Sequence, residues 1–216
     1  MTSTREYKIS RPDQIRALTT PARQEIIDAL LSSGPASVSE TALALGRPAD
    51  SLYHHIRILK QKGLVVAAEV RRRGRRDEVV YDVPGRPMRI DYDLGNRKVS
   101  AGIIGVIGAM LRIAQRDFNE AVAAGTAAVD GPVRDLWAAR LKGWIGRPQL
   151  KRINDHLQAI CKIMLSLKRQ PEGRLLSLAF VIAPLEPNTR VGKRGRSTSR
   201  ERSLASTHKS SKETNK

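Results

Sequence analysis

Between residues 12 and 83 the apolar positions change from a helical to a strand period, and turn-forming residues mark each change. Pro12–Thr19 fits a short helix. Thr20-Pro21 opens a second, with threonine as cap and proline at the first helical position. Ile26, Ile27, Leu30 and Leu31 line one face of it until Ser32-Ser33-Gly34-Pro35 stops the run. Ser37-x-x-Glu40 is a capping box, in which each side chain satisfies an orphan amide of the other residue. The short helix it starts ends at Gly46, ahead of Pro48. In the next helix Leu52, Ile56 and Leu59 form a stripe at i, i+4 and i+7, closed by Gly63, and Ser51, Tyr53, His54 and Arg57 fall largely off it. Two β-rich runs, Leu64–Val70 and Asp77–Val83, then flank Arg71-Arg72-Arg73-Gly74-Arg75-Arg76. A glycine inside five arginines reads as a hairpin tip, and Pro84-Gly85-Arg86-Pro87 closes the unit.

Beyond residue 87 the pattern is mostly helical. Met88, Ile90, Tyr92 and Leu94 alternate with polar residues, as in a strand. Lys98–Ala124 predicts a long helix with Ile103, Ile107, Met110, Ala114 and Phe118 on one face. Val133–Ile145 predicts a second, capped by Asp130, in which Trp137 and Trp144 face the same way. Such a pair packs a core or lines a ligand pocket. Pro148–Lys168 predicts a third, whose Leu150, Ile153, Leu157, Ile160, Met164 and Leu167 alternate three and four apart. That seam fits pairing across a two-fold axis or ordinary core packing. Leu175–Ile182 reads as a buried strand. The first ten residues predict a flexible arm, and residues 188–216, with almost no apolar content, a disordered tail.

Composition narrows the partner. The formal charge of +18 and a pI near 10.9 favour a polyanion. Nucleic acid is the usual one, although an anionic membrane surface attracts such a chain too. Nine Lys or Arg against two Glu after residue 187 give the tail +7, so most of the charge lies elsewhere. A single cysteine, Cys161, excludes an intramolecular disulfide and fits a reducing compartment. The polar start, MTSTREYKIS, lacks the form of a signal peptide. The most apolar run, Ala101–Leu111, falls short of the roughly 20 residues a bilayer needs. These features predict a cytoplasmic, nucleoid-associated protein with no membrane partner.

A helix that reads DNA presents short polar and basic side chains from its N-terminal half to the major groove. Ser51, Tyr53, His54 and Arg57 meet that demand: arginine bridges guanine O6 and N7, and the others hydrogen-bond bases or phosphates. A solvated helix face is the plain alternative, and the capped helix before and the basic hairpin after weigh against it. Arg71, Arg72, Arg73, Arg75 and Arg76 repel one another at the hairpin tip unless phosphates relieve them, along the backbone or in the minor groove. A charged loop without a fixed partner is the alternative there.

The composite pattern AlttPARqeIidaLl…SvsEtAlaLgrpadSLYHHIRiLkqkGLV, over roughly Arg16–Val83, resembles the winged-helix domain of ArsR-type transcriptional regulators. The resemblance implies supporting helices, a recognition helix around Asp50–Lys62, a β-wing, and a homodimer on a palindromic or near-palindromic operator, usually as a repressor. It also implies that Ser51, Tyr53, His54 and Arg57 face DNA. Metal-sensing members carry paired cysteines on the helix before the recognition helix, where this chain has Ser39, Thr41 and Ala42. One cysteine cannot build a thiolate site within a subunit, and His156 and Cys161, five apart, share no helix face. No metal and no cofactor are therefore expected.

Gly102, Gly105 and Gly108 superficially look like a phosphate loop, but they sit in an apolar helical run with no Lys-Ser/Thr after them. They predict a flat face for close packing. Asp91 and Asp93 have no identifiable metal-ligand partner, no catalytic constellation emerges, and no enzyme activity is expected. The fold class predicted is mainly α with a small β component. A winged helix-turn-helix DNA-binding domain (11–87) follows the arm (1–10) and precedes a helical domain (88–187) for dimerisation, small-molecule sensing or both, and then the basic tail (188–216). The function expected is a sequence-specific regulator on double-stranded DNA. The rival is a chromatin-like protein that coats DNA with little base preference.

Overall fold

A computed structural model describes residues 5–74, 76–167 and 173–186. The chain divides into two units, Met1–Ala179 and Phe180–Lys216. Of the second, residues 180–186 are described and carry no helix or strand. The expected tail at 188–216 lies outside the described residues.

The first unit runs β1 (Tyr7–Ile9), α1 (Pro12–Ala17), α2 (Pro21–Ser33), β2 (Ala36–Ser37), α3 (Val38–Ala44), α4 (Ala49–Gln61), β3 (Val66–Arg73), β4 (Arg76–Asp82), β5 (Met88–Ile90), α5 (Arg97–Ala124) and α6 (Arg147–Ser166). The expected class, mainly helical with a small sheet component, is the one observed. The capping box forms as read: Ser37 Oγ accepts from the Glu40 amide, and Glu40 Oε2 accepts from the Ser37 amide at 2.8 Å. Gly46 ends the helix-turn in the left-handed region at φ +60°. Leu52, Ile56 and Leu59 are buried, meeting Ile15, Ile26, Leu30, Leu64 and Val65 in one core.

Strands β2, β4 and β3 form an antiparallel sheet in that order. The hairpin is longer than its apolar runs suggested, because β3 and β4 continue into the arginines as far as the register pair Arg73 and Arg76. Gly74, after the end of β3, has φ +65°, a left-handed conformation that glycine adopts without strain.

The N-terminus departs from expectation. Residues 7–9 are not a loose arm but a strand, parallel to β5 with Tyr7 opposite Met88 and Ile9 opposite Ile90. Ile9 is buried, and its burial holds the segment down. The predicted boundary at residue 87 falls between β4 and β5, and one hydrophobic core extends across it: Val99, Ile103 and Val106 of α5 join the α1–α4 cluster.

The long helix is capped by Asn96, whose Oδ1 accepts from the Lys98 and Val99 amides. Its buried line is Val99, Gly102, Ile103, Val106 and Ala109, rotated from the expected stripe because α1 and α2 set which side is covered. By length and composition α5 is long and apolar enough to cross a membrane, which amends the reading of the short run within it; of its apolar residues Val99, Ile103 and Val106 are packed into the core, while Ile104 is exposed. Gly102 and Gly105 make the notch in which α1 seats. A Cβ at Gly102 would lie 2.8 Å from Ile15 Cγ2, and one at Gly105 2.7 Å from Thr19 Cγ2. Ile15 is fully buried and cannot retreat. Gly102→Val is therefore expected to destabilise by about 2 kcal/mol through overpacking, measured by urea denaturation; an unchanged midpoint would show that α1 does not seat there.

Two further expectations fail. Residues 133–145 form no helix, so Asp130 caps nothing and Trp137 and Trp144 share no face; both are exposed. A helix that short is marginal in water without a surface to bury its apolar side, and Leu141 is 91 % exposed. The segment is instead pinned at its start. The Asp135 amide donates to Ala128 O at 2.9 Å, Asp135 Oδ1 accepts from the Ala128 amide at 2.8 Å, and Arg174 pairs with Asp135. Leu175–Ile182 forms no strand: among the described residues no neighbour pairs with it, and an unpaired strand leaves its ladder groups unmet.

Candidate nucleic-acid interface

Helix α4 presents two unlike sides. Its apolar stripe anchors it to the core, and on the other side Ser51, Tyr53, His54 and Arg57 are exposed, Tyr53 by 56 %. The four are not equally idle. Ser51 Oγ donates to Pro48 O at 2.7 Å, which ties it to the helix start and leaves its lone pairs outward. Arg57 Nη2 lies 3.2 Å from His54 Nδ1, so the guanidinium and imidazole stand together. His55, the next residue, turns back toward the protein. Its Nδ1 is buried without a hydrogen-bond partner among the described residues, and desolvation, then Arg23, His54 and Arg47, hold its pKa below the ordinary imidazole value.

The wing extends the same basic character. Arg71, Arg72 and Arg73 lie on β3 and Arg76 on β4; the side chains of residues 73 and 76, and residue 75 altogether, lie outside the described set. The register brings acids opposite the arginines, Arg71 to Glu78 and Arg72 to Asp77. Arg71 also pairs with Glu69 at 2.5 Å and Glu40 at 3.6 Å. The picture of five cations repelling one another at a bare tip is thus softened for Arg71 and Arg72. The Arg71 guanidinium lies against acids that a phosphate would compete with.

Three groups of residues that hold α4 and the wing in place went unread in the sequence. At its C-terminal end, Tyr7 Oη donates to Gly63 O at 3.0 Å, Gln14 Nε2 donates to Tyr7 Oη at 2.8 Å and to Lys62 O at 2.9 Å, and Arg11 donates to Lys62 O at 2.8 Å. These donors satisfy carbonyls that a helix end leaves open. At its N-terminal approach, Arg47 in the α3–α4 turn meets the buried Glu25 at 2.7 Å, and Arg116 of α5 meets the other Glu25 oxygen at 2.6 Å. At the base of the wing, the buried Asp82 binds Arg86, which also donates to Leu30 O at 2.8 Å. The one available signal was Glu25, a carboxylate beside Ile26 inside an apolar arc, because a buried acid implies a partner.

Asp28 belongs to the Glu25 cluster. Although it reaches solvent, desolvation and then the carboxylates of Glu25 and Asp117 push its pKa up to about 6. A carboxyl whose folded pKa exceeds its unfolded value stabilises as pH falls through 6 and loses that contribution as pH rises. Asp28→Asn is expected to raise stability by about 1 kcal/mol at pH 8, after allowance for solvent screening, and to leave it unchanged at pH 4. Thermal melts at the two pH values test this; equal gains at both would assign the effect elsewhere.

A protein-family model described as a helix-turn-helix domain matches residues 18–66, from the end of α1 to the start of β3. No curated protein matches the chain. The matched stretch contains α2, α3, the turn and α4, so the unit that the geometry sets out is a helix-turn-helix, a DNA-binding module of transcription regulators and not of an enzymatic family. Its partner class is DNA. Among the described residues no group of three or more His, Cys, Asp or Glu is placed to hold a metal ion.

Proposed function

We propose that the protein is a sequence-specific transcriptional regulator of the ArsR type. It acts in the cytoplasm as a homodimeric repressor, with Ser51, Tyr53, His54 and Arg57 reading the major groove and Arg71, Arg72, Arg73, Arg75 and Arg76 following the phosphates. The observation that carries this reading is the division of α4: its apolar stripe is locked into the core while its polar side stays exposed on the same unit as the basic hairpin. Helices that read DNA have this arrangement, because base edges are reached only by side chains that the core does not use. The chain beyond β5 serves dimerisation and leaves room for a small-molecule effector.

Selection of bound sequences from a random DNA pool, at physiological salt with competitor DNA, tests it. Enrichment of a two-fold symmetric motif with half-sites about one helical turn apart is the expected result. Tight, salt-sensitive binding without enrichment would replace the regulator by the DNA-coating protein, whose specific and non-specific affinities differ by less than roughly 10³-fold.

A further inference from the structure

Helix α6 is the largest regular element that the core does not use. It spans twenty residues, none of them buried. Leu150, Ile153, Leu157, Ile160 and Met164 nonetheless keep the three-four spacing of a coiled-coil seam through it. Ile153 and Leu157 are half-buried; Leu150, Ile160 and Met164 are exposed. Water is a poor long-term neighbour for such a stripe, so something covers it.

The charges on the helix say what. From residue 149 on, the positions flanking the seam are Gln149, Asn154, His156, Cys161 and Ile163, none with a formal charge at neutral pH. Lys151, Arg152, Asp155 and Lys162 all lie on the far side, where Lys151 and Asp155 pair with each other at 2.8 Å. An acidic partner seated on the seam would be met by cations along its edges, and these edges carry none past Arg147. A neutral-edged apolar seam is complementary to itself, because two copies bring no like charges together.

We infer that α6 pairs with α6 of a second copy of this chain, burying Leu150, Ile153, Leu157, Ile160 and Met164 of both. The inference rests on the homodimer reading and supplies its surface. It also gives Trp144 and Leu141, almost fully exposed just before the helix, a place beside a partner.

The test uses the full chain without DNA. Light scattering on a sizing column is expected to give twice 23.9 kDa for the native protein and 23.9 kDa for Leu157→Glu, with Lys162→Glu remaining at the doubled mass. Because a glutamate could unwind α6 itself, a second pair of variants is oxidised in a Cys161→Ser background. Leu157→Cys lies near the middle of the helix and meets its own copy in parallel or antiparallel pairing, so it should cross-link; Lys162→Cys, on the far side, should not. A monomeric native chain overturns the inference. So does a doubled mass that survives Leu157→Glu while Leu157→Cys fails to cross-link. Neither result depends on DNA, so a failed sequence selection would remove the regulator reading and leave the α6 pairing standing.

Discussion

Replacing Glu25 with alanine is expected to lower the unfolding free energy by about 3 kcal/mol, the lower end of the cost of breaking a buried ion pair. The carboxylate is the buried partner, with 7 % of its side chain exposed, while Arg47 and Arg116 keep 34 % and 40 %. Those guanidiniums can turn to water when Glu25 is lost, which holds the cost down. The reverse deletion behaves differently. Arg116→Ala leaves Glu25 beside Asp28 and Asp117 with one cation fewer, so its loss should shrink as pH falls through about 6 and Asp28 protonates. Urea titrations of both variants at pH 5 and pH 8 separate the two. A Glu25→Ala protein within about 1 kcal/mol of native would mean that the ion pairs are surface-like and contribute little.

Arg57→Ala should reduce preference for the selected site over random DNA by about 10- to 100-fold, the worth of one bidentate contact to guanine. Binding to random DNA should change little. Arg72→Ala should weaken both equally and reduce the salt slope by about one. Arg71→Ala should do less, since in the free protein that guanidinium must leave Glu69 and Glu40 before it can meet a phosphate. Fluorescence anisotropy over a salt series reads all three. Equal losses on both DNAs for Arg57→Ala would take base reading away from this residue.

The helix-turn-helix was legible because each of its boundaries has a local cause. The capping box at Ser37 and Glu40, the left-handed Gly46 and Gly63, and the stripe Leu52, Ile56 and Leu59 all act within a few residues of one another. Candidate groove residues followed by subtraction from that stripe. What escaped reading was non-local. Tyr7 gains meaning only when Gln14 and Gly63 come beside it, and Glu25 only with Arg47 and Arg116. The wing arginines read as unrelieved charge because Asp77 and Glu78 meet them only through the hairpin register. Beyond α5 the apolar pattern overstated structure: periodicity at 133–145 shows what a helix would bury, not that a surface is there to bury it.

The parallel pairing of residues 7–9 with 88–90 also sets an order of events at the ribosome. Synthesis at about 5–20 residues per second leaves β1 without its partner for roughly 4–16 s after it is made. In that interval α2, α3 and α4 emerge complete. The strand that carries Tyr7, whose hydroxyl donates to Gly63 O at the end of α4, thus gains its ladder partner only from chain made after the wing. A nascent chain halted between the wing and β5 would hold the end of α4 through Gln14 and Arg11 on the Lys62 carbonyl, with Tyr7 still on an unpaired strand.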